Sequence, residues 1–345
     1  MKKIFYLLSI VTLIFCCENQ DIEFDDFAYQ AVYFPFQTPL RTIMLGDEVL
    51  GDNTIDLERA FSIGAAFSGA YENSKNRTLS VEFAPELAEN ITDASGNALE
   101  LLPASYYSAT FDKIVIPAGK FSGKMRVDLT DAFFQDPLSI GLHYVIPVRI
   151  TDVEETDSIL SGLPVSSVLL PDPRISDHWL TQPKDYVLFG VKYINETHGV
   201  YLLRGQRTNI ADPEDVFSYS TPYLDDNQQV LLNTMSLTES NMPTIGGTNI
   251  ESTDAKYSMK LTFNESDKTV TISQKDASTV TVSGTGKYYT KNDTEAESYT
   301  GQKHRTIYLD YTYEDEANTY QVKDSLVFID TNMTFEDYQV NVVNP

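Results

Sequence analysis

The chain has 345 residues, with 50 Asp and Glu against 25 Lys and Arg and a net charge of −25. So acidic a composition excludes the basic footprint that nucleic acid requires and argues against direct docking on anionic lipid headgroups. Its simplest physical meaning is solubility; neutral and cationic partners stay open.

Lys2 and Lys3 precede an almost unbroken apolar run over residues 4–15, which ends in Cys16, Cys17 and Glu18. A basic start, an apolar run of this length and a processing site make a secretory signal. The run is shorter than the roughly 20 apolar residues of a membrane-spanning helix, and no later stretch approaches that length. Both cysteines of the chain lie here. The pattern resembles the lipobox of bacterial lipoproteins, in which a diacylglyceryl group joins a cysteine that becomes the first mature residue. Cys17 is the expected acceptor, because Cys16 suits the preceding position and Phe15 does not; the Phe15-Cys16 pair still departs from the usual small residues. A cleaved signal without lipid, or an uncleaved anchor, is the alternative. The lipid would be the chain's membrane contact, at the outer membrane and exposed to the cell surface. Residues 1–16 then form the signal and residues 17–27 an acidic, solvated tether, similar to the surface-export signal of Bacteroidetes lipoproteins. The mature domains hold no cysteine, so disulfides, thiol catalysis and cysteine zinc sites are excluded.

Beyond the tether, period-two alternation dominates. Leu79, Val81 and Phe83 form one set, and Met125, Val127 and Leu129 another. Tyr144, Ile146, Val148 and Ile150 make a third, in which Pro147 predicts an edge strand or a bulge. Residues 56–60 and 85–89 predict single helical turns. The proline-punctuated stretch 169–174 breaks the rhythm and predicts a boundary: a first domain over 28–165, a linker over 166–183 and a second domain over 184–345. In the second, Tyr257, Met259, Leu261 and Phe263 share a strand face, followed by turn chemistry at 264–268 and a returning strand. Ile307, Leu309, Tyr311 and Tyr313 repeat the habit. Short strands separated by turns predict an all-β chain of antiparallel sandwiches or barrels.

The first domain carries Tyr33-Phe34-Pro35, then Leu102-Pro103-Ala104-Ser105-Tyr106-Tyr107 and Ile114-Val115-Ile116-Pro117-Ala118-Gly119. Tyr144-Val145-Ile146-Pro147-Val148-Arg149-Ile150 and Asp157-Ser158-Ile159-Leu160-Ser161 follow. In that order they resemble the DUF1735 domain of Bacteroidetes surface lipoproteins, which implies an immunoglobulin-like β-sandwich. The second domain is similar to DUF5627 through Lys184-Asp185-Tyr186-Val187-Leu188-Phe189-Gly190, His198-Gly199, Tyr201-Leu202, Arg204-Gly205 and Ile307-Tyr308-Leu309-Asp310-Tyr311. The resemblance implies a component of a polysaccharide-utilisation system. Such a component holds a polysaccharide or oligosaccharide beside a TonB-dependent importer.

The chain has 21 Tyr, 18 Phe and one Trp. An aromatic ring covers the apolar C–H face of a sugar while Asp, Asn, Gln or Arg bond its hydroxyls. Trp179, in the linker beside Asp177 and His178, is the first candidate; packing as a wedge between domains is the alternative. Tyr106-Tyr107 and Tyr288-Tyr289 are adjacent pairs, of which one ring faces outward on a strand. Tyr107 and Tyr289 are the candidate platforms, against ordinary half-solvated aromatics. His198, in a turn at 195–199, and Arg204 complete the glycan-binding set, with a packing residue and an ion pair as the alternatives. No catalytic residue, cofactor or metal is expected. Gly-x-Ser-x-Gly and His-Glu-x-x-His are missing, and the acidic clusters 212–215 and 225–227 lack EF-hand spacing. The leading reading is a non-catalytic glycan-binding protein. Its rivals are a structural or adhesive contact within an outer-membrane complex, and a glycoside hydrolase whose carboxylate pair is hidden among the acidic residues.

Overall fold

The structure is a computed structural model that describes residues 27, 29–49, 51–247, 257–275, 278, 280–315 and 317–343. Cys17 and nearly all of the tether lie outside the described residues. The described chain is all-β and falls into two units.

The first unit is a sandwich. Its smaller sheet centres on Ala60–Ser68, flanked by Ala31–Tyr33 and Ser122–Leu129. The larger runs from Glu336–Asp337 through Pro39–Met44, Tyr186–Ile194, Tyr144–Glu154 and Arg77–Phe83 to Lys113–Ile116. Ser122–Leu129 alternates exposed and buried residues without a break, the pattern of a strand with one wet face. Its buried Met125, Val127 and Leu129 meet Phe61, Leu79, Ile114 and Ile146 in the shared core.

The expected boundary at 166–183 is corrected. Tyr186–Ile194 is buried at eight of nine positions and lies between Tyr144–Glu154 and Pro39–Met44 in the first unit. A strand covered on both faces shows a continuous apolar run rather than alternation, as the run from Tyr186 to Val191 does. The proline-rich stretch before it is a crossover loop packed on the sandwich. There Arg174 Nη1 donates to the carbonyls of Leu87 (3.1 Å) and Glu89 (2.8 Å). The chain end also returns to this unit: Glu336–Asp337 pairs with Pro39 and Leu40, and Asn341–Val342 with Ile91–Thr92.

Pro147 sits in a central strand, not at an edge, opposite Leu188. Its carbonyl accepts from Ala84 N–H at 3.1 Å, just past the end of Arg77–Phe83. The carbonyl that a proline N–H would have faced, that of Ala84, accepts from Leu87 N–H instead at 3.1 Å, so the missing donor leaves no acceptor stranded.

The second unit is an eight-stranded antiparallel barrel. It closes where Gly199–Asn209 pairs with Thr319–Asp330 over ten residue pairs, which removes the open sheet edges. Tyr201, Leu203, Leu232, Leu261, Ile272 and Leu309 fill it. Asp324 is buried among them, and its carboxylate accepts from Tyr311 Oη (2.8 Å) and from Tyr219 Oη. A Cβ at Gly205 would overlap that carboxylate. Burial lifts the Asp324 carboxyl to about 6, against an ordinary 3.8, while the two phenols oppose the shift. The folded state therefore binds more protons than the unfolded state between about pH 4 and 6, so this contribution to stability is lost as pH rises through that window. The expected outcome is a higher midpoint of denaturant unfolding for the native protein at pH 5 than at pH 7, relative to Asp324→Asn at the same two pH values. Equal pH dependence in the two proteins would refute the assignment.

Candidate functional site

Pro39–Met44 is an outer strand of the larger sheet, and Glu336–Asp337 covers its free edge only at Pro39 and Leu40. Between this strand and Ala60–Ser68 of the facing sheet opens a cleft of about 530 Å³. Ile63, Ala65, Val187 and Phe189 are its apolar lining from the two sheets. Gly123 also lines it, where a Cβ would strike the Val115 carbonyl, so only glycine fits. The segment leaving the barrel contributes Thr331, Met333, Thr334 and Phe335.

Two aromatic rings stand in the lining. Phe36 is 50% exposed and Phe335 66%, and their rings pack at 4.9 Å between centroids, tilted by 48°. Short-range pairing holds both. Thr38 Oγ1 donates to Asp337 Oδ1 (2.9 Å), Tyr338 N–H donates to the Thr38 carbonyl (2.9 Å), and Leu188 N–H donates to the Gln37 carbonyl (2.7 Å). An exposed apolar pair at the opening of an apolar cleft is a feature of binding sites. Arg41, Thr42, Ser122 and Lys124 supply polar groups. Arg41 Nη2 bonds Asp56, whose side chain is fully buried. Burial raises the Asp56 carboxyl, against the opposing pull of the Met44 N–H and Arg41.

None of the five glycan-binding candidates named from sequence lines this cleft. Trp179 is half-buried; its Nε1 donates to the Asp172 carbonyl (2.7 Å), and its strand pairs with Leu163–Pro164. Tyr107 meets Phe111 edge-on at 6.0 Å, on a strand paired with Ser122–Leu129. Tyr289 and Arg204 do share a neighbourhood on the barrel wall. Tyr289 lies 6.0 Å from Tyr308, whose hydroxyl donates to Glu297 Oε1 (3.1 Å), and Arg204 pairs with the same carboxylate. That network is satisfied within the protein. His198 is a correction: it is buried, and its Nδ1 accepts Thr234 N–H at 3.2 Å. Burial lowers its pKa to about 4, so the imidazole is neutral near pH 7 and out of a sugar's reach. Among the described residues no group of three or more His, Cys, Asp and Glu could hold a metal ion, and no helix is long and apolar enough to cross a membrane.

Phe36 and Phe335 escape sequence reasoning because 299 positions separate them and neither belongs to an alternating run. The weak signal is local: each is an aromatic beside polar or proline residues, next to a short extended stretch.

A family model described as an N-terminal domain matches residues 25–157, and the DUF5627 model matches residues 196–332. A solved structure of a Bacteroides ovatus protein of unknown function is 34% identical, with a TM-score of 0.81. The match covers 92% of this chain and all of that one. The chain belongs to the family that joins a DUF1735-type domain to DUF5627. Two further solved structures match more loosely. A multidomain protein including DUF1735, from Bacteroides ovatus, is 12% identical over 78% of this chain and 84% of its own, with a TM-score of 0.37. An auxiliary nutrient binding protein from Bacteroides thetaiotaomicron is 15% identical over 77% and 82%, also at 0.37. Overlaps this loose carry no functional argument. No curated protein matches. The DUF5627 match begins at residue 196, after Tyr186–Ile194 has completed the sandwich of the DUF1735-type domain.

Proposed function

We propose that this family member is a non-catalytic glycan-binding protein, tethered through lipid on Cys17 to the outer membrane and exposed at the cell surface. The observation that carries the binding reading is the exposed Phe36–Phe335 pair at an apolar cleft with hydroxyl and cationic side chains around it. The rings offer faces for sugar C–H groups, and Thr42, Ser122, Thr331 and Thr334 offer hydrogen bonds to hydroxyls. A bound chain would pass to a TonB-dependent importer in the same membrane. Affinity electrophoresis through polysaccharide gels tests the reading. The native protein is expected to be retarded by at least one polysaccharide, with Phe335→Ala weakening the interaction about tenfold, or about 1.4 kcal/mol. Retardation unchanged in Phe36→Ala and Phe335→Ala would remove the cleft from the account. No retardation in any gel would remove the glycan.

A second reading, contact with another protein, has its own support. Leu169 is 95% exposed and Leu170 88%, on the crossover loop that also exposes Leu163 and Leu180. Exposed apolar groups concentrated in one region mark interaction surfaces. Replacing Leu169 and Leu170 by Asp is expected to abolish capture of a partner from host membranes without altering glycan retardation. A partner captured equally by this variant would refute that role for the loop.

A further inference from the structure

The cleft reverses the charge of the molecule around it, and this bears on which glycan fits; the step rests on the binding reading above. None of its nineteen lining residues is Asp or Glu, and two, Arg41 and Lys124, are cationic. That is unexpected in a chain with twice as many acidic as basic residues. The other clefts differ from it: a small one beside Tyr193 has no charged lining residue at all, and two carry carboxylates. One on the sandwich sets Glu72, Glu155 and Asp157 beside Lys75 and Arg77, and one between the two units sets Glu196 and Glu265 beside Arg59.

The two cations are also less engaged than their neighbours. Arg126, two residues along the strand from Lys124, pairs with both Glu58 and Asp128. Arg59 pairs with Asp131, Arg149 with Glu86 and Lys192 with Glu336. Lys124 is exposed and has no hydrogen bond or ion pair among the described residues. Arg41 uses Nη2 for Asp56, which leaves Nη1 and Nε without a hydrogen bond among the described residues. Its side chain is 32% exposed. A guanidinium offers a fork of donors matched to a carboxylate. An unpaired ammonium lining the same cleft adds a charge-assisted bond. In the field of so acidic a protein, a cleft without carboxylates is where an anion meets least repulsion.

We infer that the cleft selects an acidic glycan, a uronate-bearing chain whose sugar faces lie on Phe36 and Phe335 and whose carboxylate meets Lys124 and Arg41. Calorimetric titration of the full chain in detergent micelles tests this. The probes are oligosaccharides of galacturonate, glucuronate and mannuronate, each beside its carboxyl-reduced counterpart, with a panel of neutral oligosaccharides. The expected result is that at least one acidic series binds about tenfold more tightly than its reduced form. Added salt should erode the difference, and Lys124→Met should abolish it while leaving the unfolding curve unchanged. Equal affinity for the acidic and reduced forms, or a preference that survives both Lys124→Met and Arg41→Lys, would overturn the inference. Binding of neutral glycans alone, lost in Phe335→Ala, would overturn the acidic class and leave glycan binding standing. No binding of any probe would overturn both.

Discussion

Deleting every residue after Asp330 is expected to destabilise the sandwich as well as remove one wall of the cleft. The deleted segment is the end of the chain, yet it is built into the first unit. Tyr338 is 9% exposed, and its hydroxyl donates to the Leu188 carbonyl at 2.7 Å. It packs with Leu87, Ile91, Leu99 and Val145. Lys192 and Glu336 form an ion pair at 2.6 Å, and two short strand pairings are lost with the segment. Replacing one buried aromatic by alanine costs about 3–5 kcal/mol, so Tyr338→Ala alone should lower stability by that order. The deletion should cost at least as much. Thermal unfolding followed by calorimetry checks both, with an early sandwich transition and a surviving barrel transition expected. A deletion variant that melts with the native protein would show that the segment is ornamental.

Arg305→Met is expected to be comparably damaging, by a different route. Arg305 begins a barrel strand's approach, and its side chain is 1% exposed. It faces the loop that follows Pro39–Met44 in the sandwich. Its Nη2 lies 3.4 Å from Asp47 Oδ1 and 3.9 Å from Glu48 Oε2, and its backbone N–H donates to Glu48 Oε2 at 2.8 Å. Its Nη1 meets Tyr201 Oη at 3.3 Å, and the guanidinium sits over Phe328 at 4.9 Å. Glu48 is itself 6% exposed and also faces His304 Nδ1 at 3.3 Å. Removing the guanidinium leaves a buried carboxylate with less to compensate it, which costs about 3–5 kcal/mol. Because the partners belong to different units, the loss should also uncouple them. Calorimetry of Arg305→Met should resolve two transitions at lower temperatures. Adding Glu48→Gln should recover part of the loss, since it removes the stranded charge. A single unshifted transition would show that this contact does not join the units.

Much of the fold was legible where one strand face is wet. Ser122–Leu129 alternates in sequence and in burial alike, and Met259, Leu261 and Phe263 point into the barrel as their spacing predicts. Legibility failed where a strand is buried on both faces. Tyr186–Ile194 has no alternation to read and follows a proline-rich stretch, so position along the chain suggested the wrong unit. The barrel's closure was also hidden, because it depends on Gly199–Asn209 meeting Thr319–Asp330 across more than a hundred residues. The candidate site was the least legible part. Its aromatics come from opposite ends of the chain. The residues that looked functional were instead absorbed by internal partners: His198 by Thr234, Arg204 by Glu297 and Trp179 by the Asp172 carbonyl.

The most direct measurement is a crystal structure of the protein with an oligosaccharide that it retains in affinity gels. The expected result is a sugar ring against Phe36 and Phe335, within hydrogen-bonding reach of Arg41 or Lys124. Sugar density seated elsewhere, on the barrel wall beside Tyr289 and Arg204 or along the crossover loop at Trp179, with the sandwich cleft empty, would contradict it.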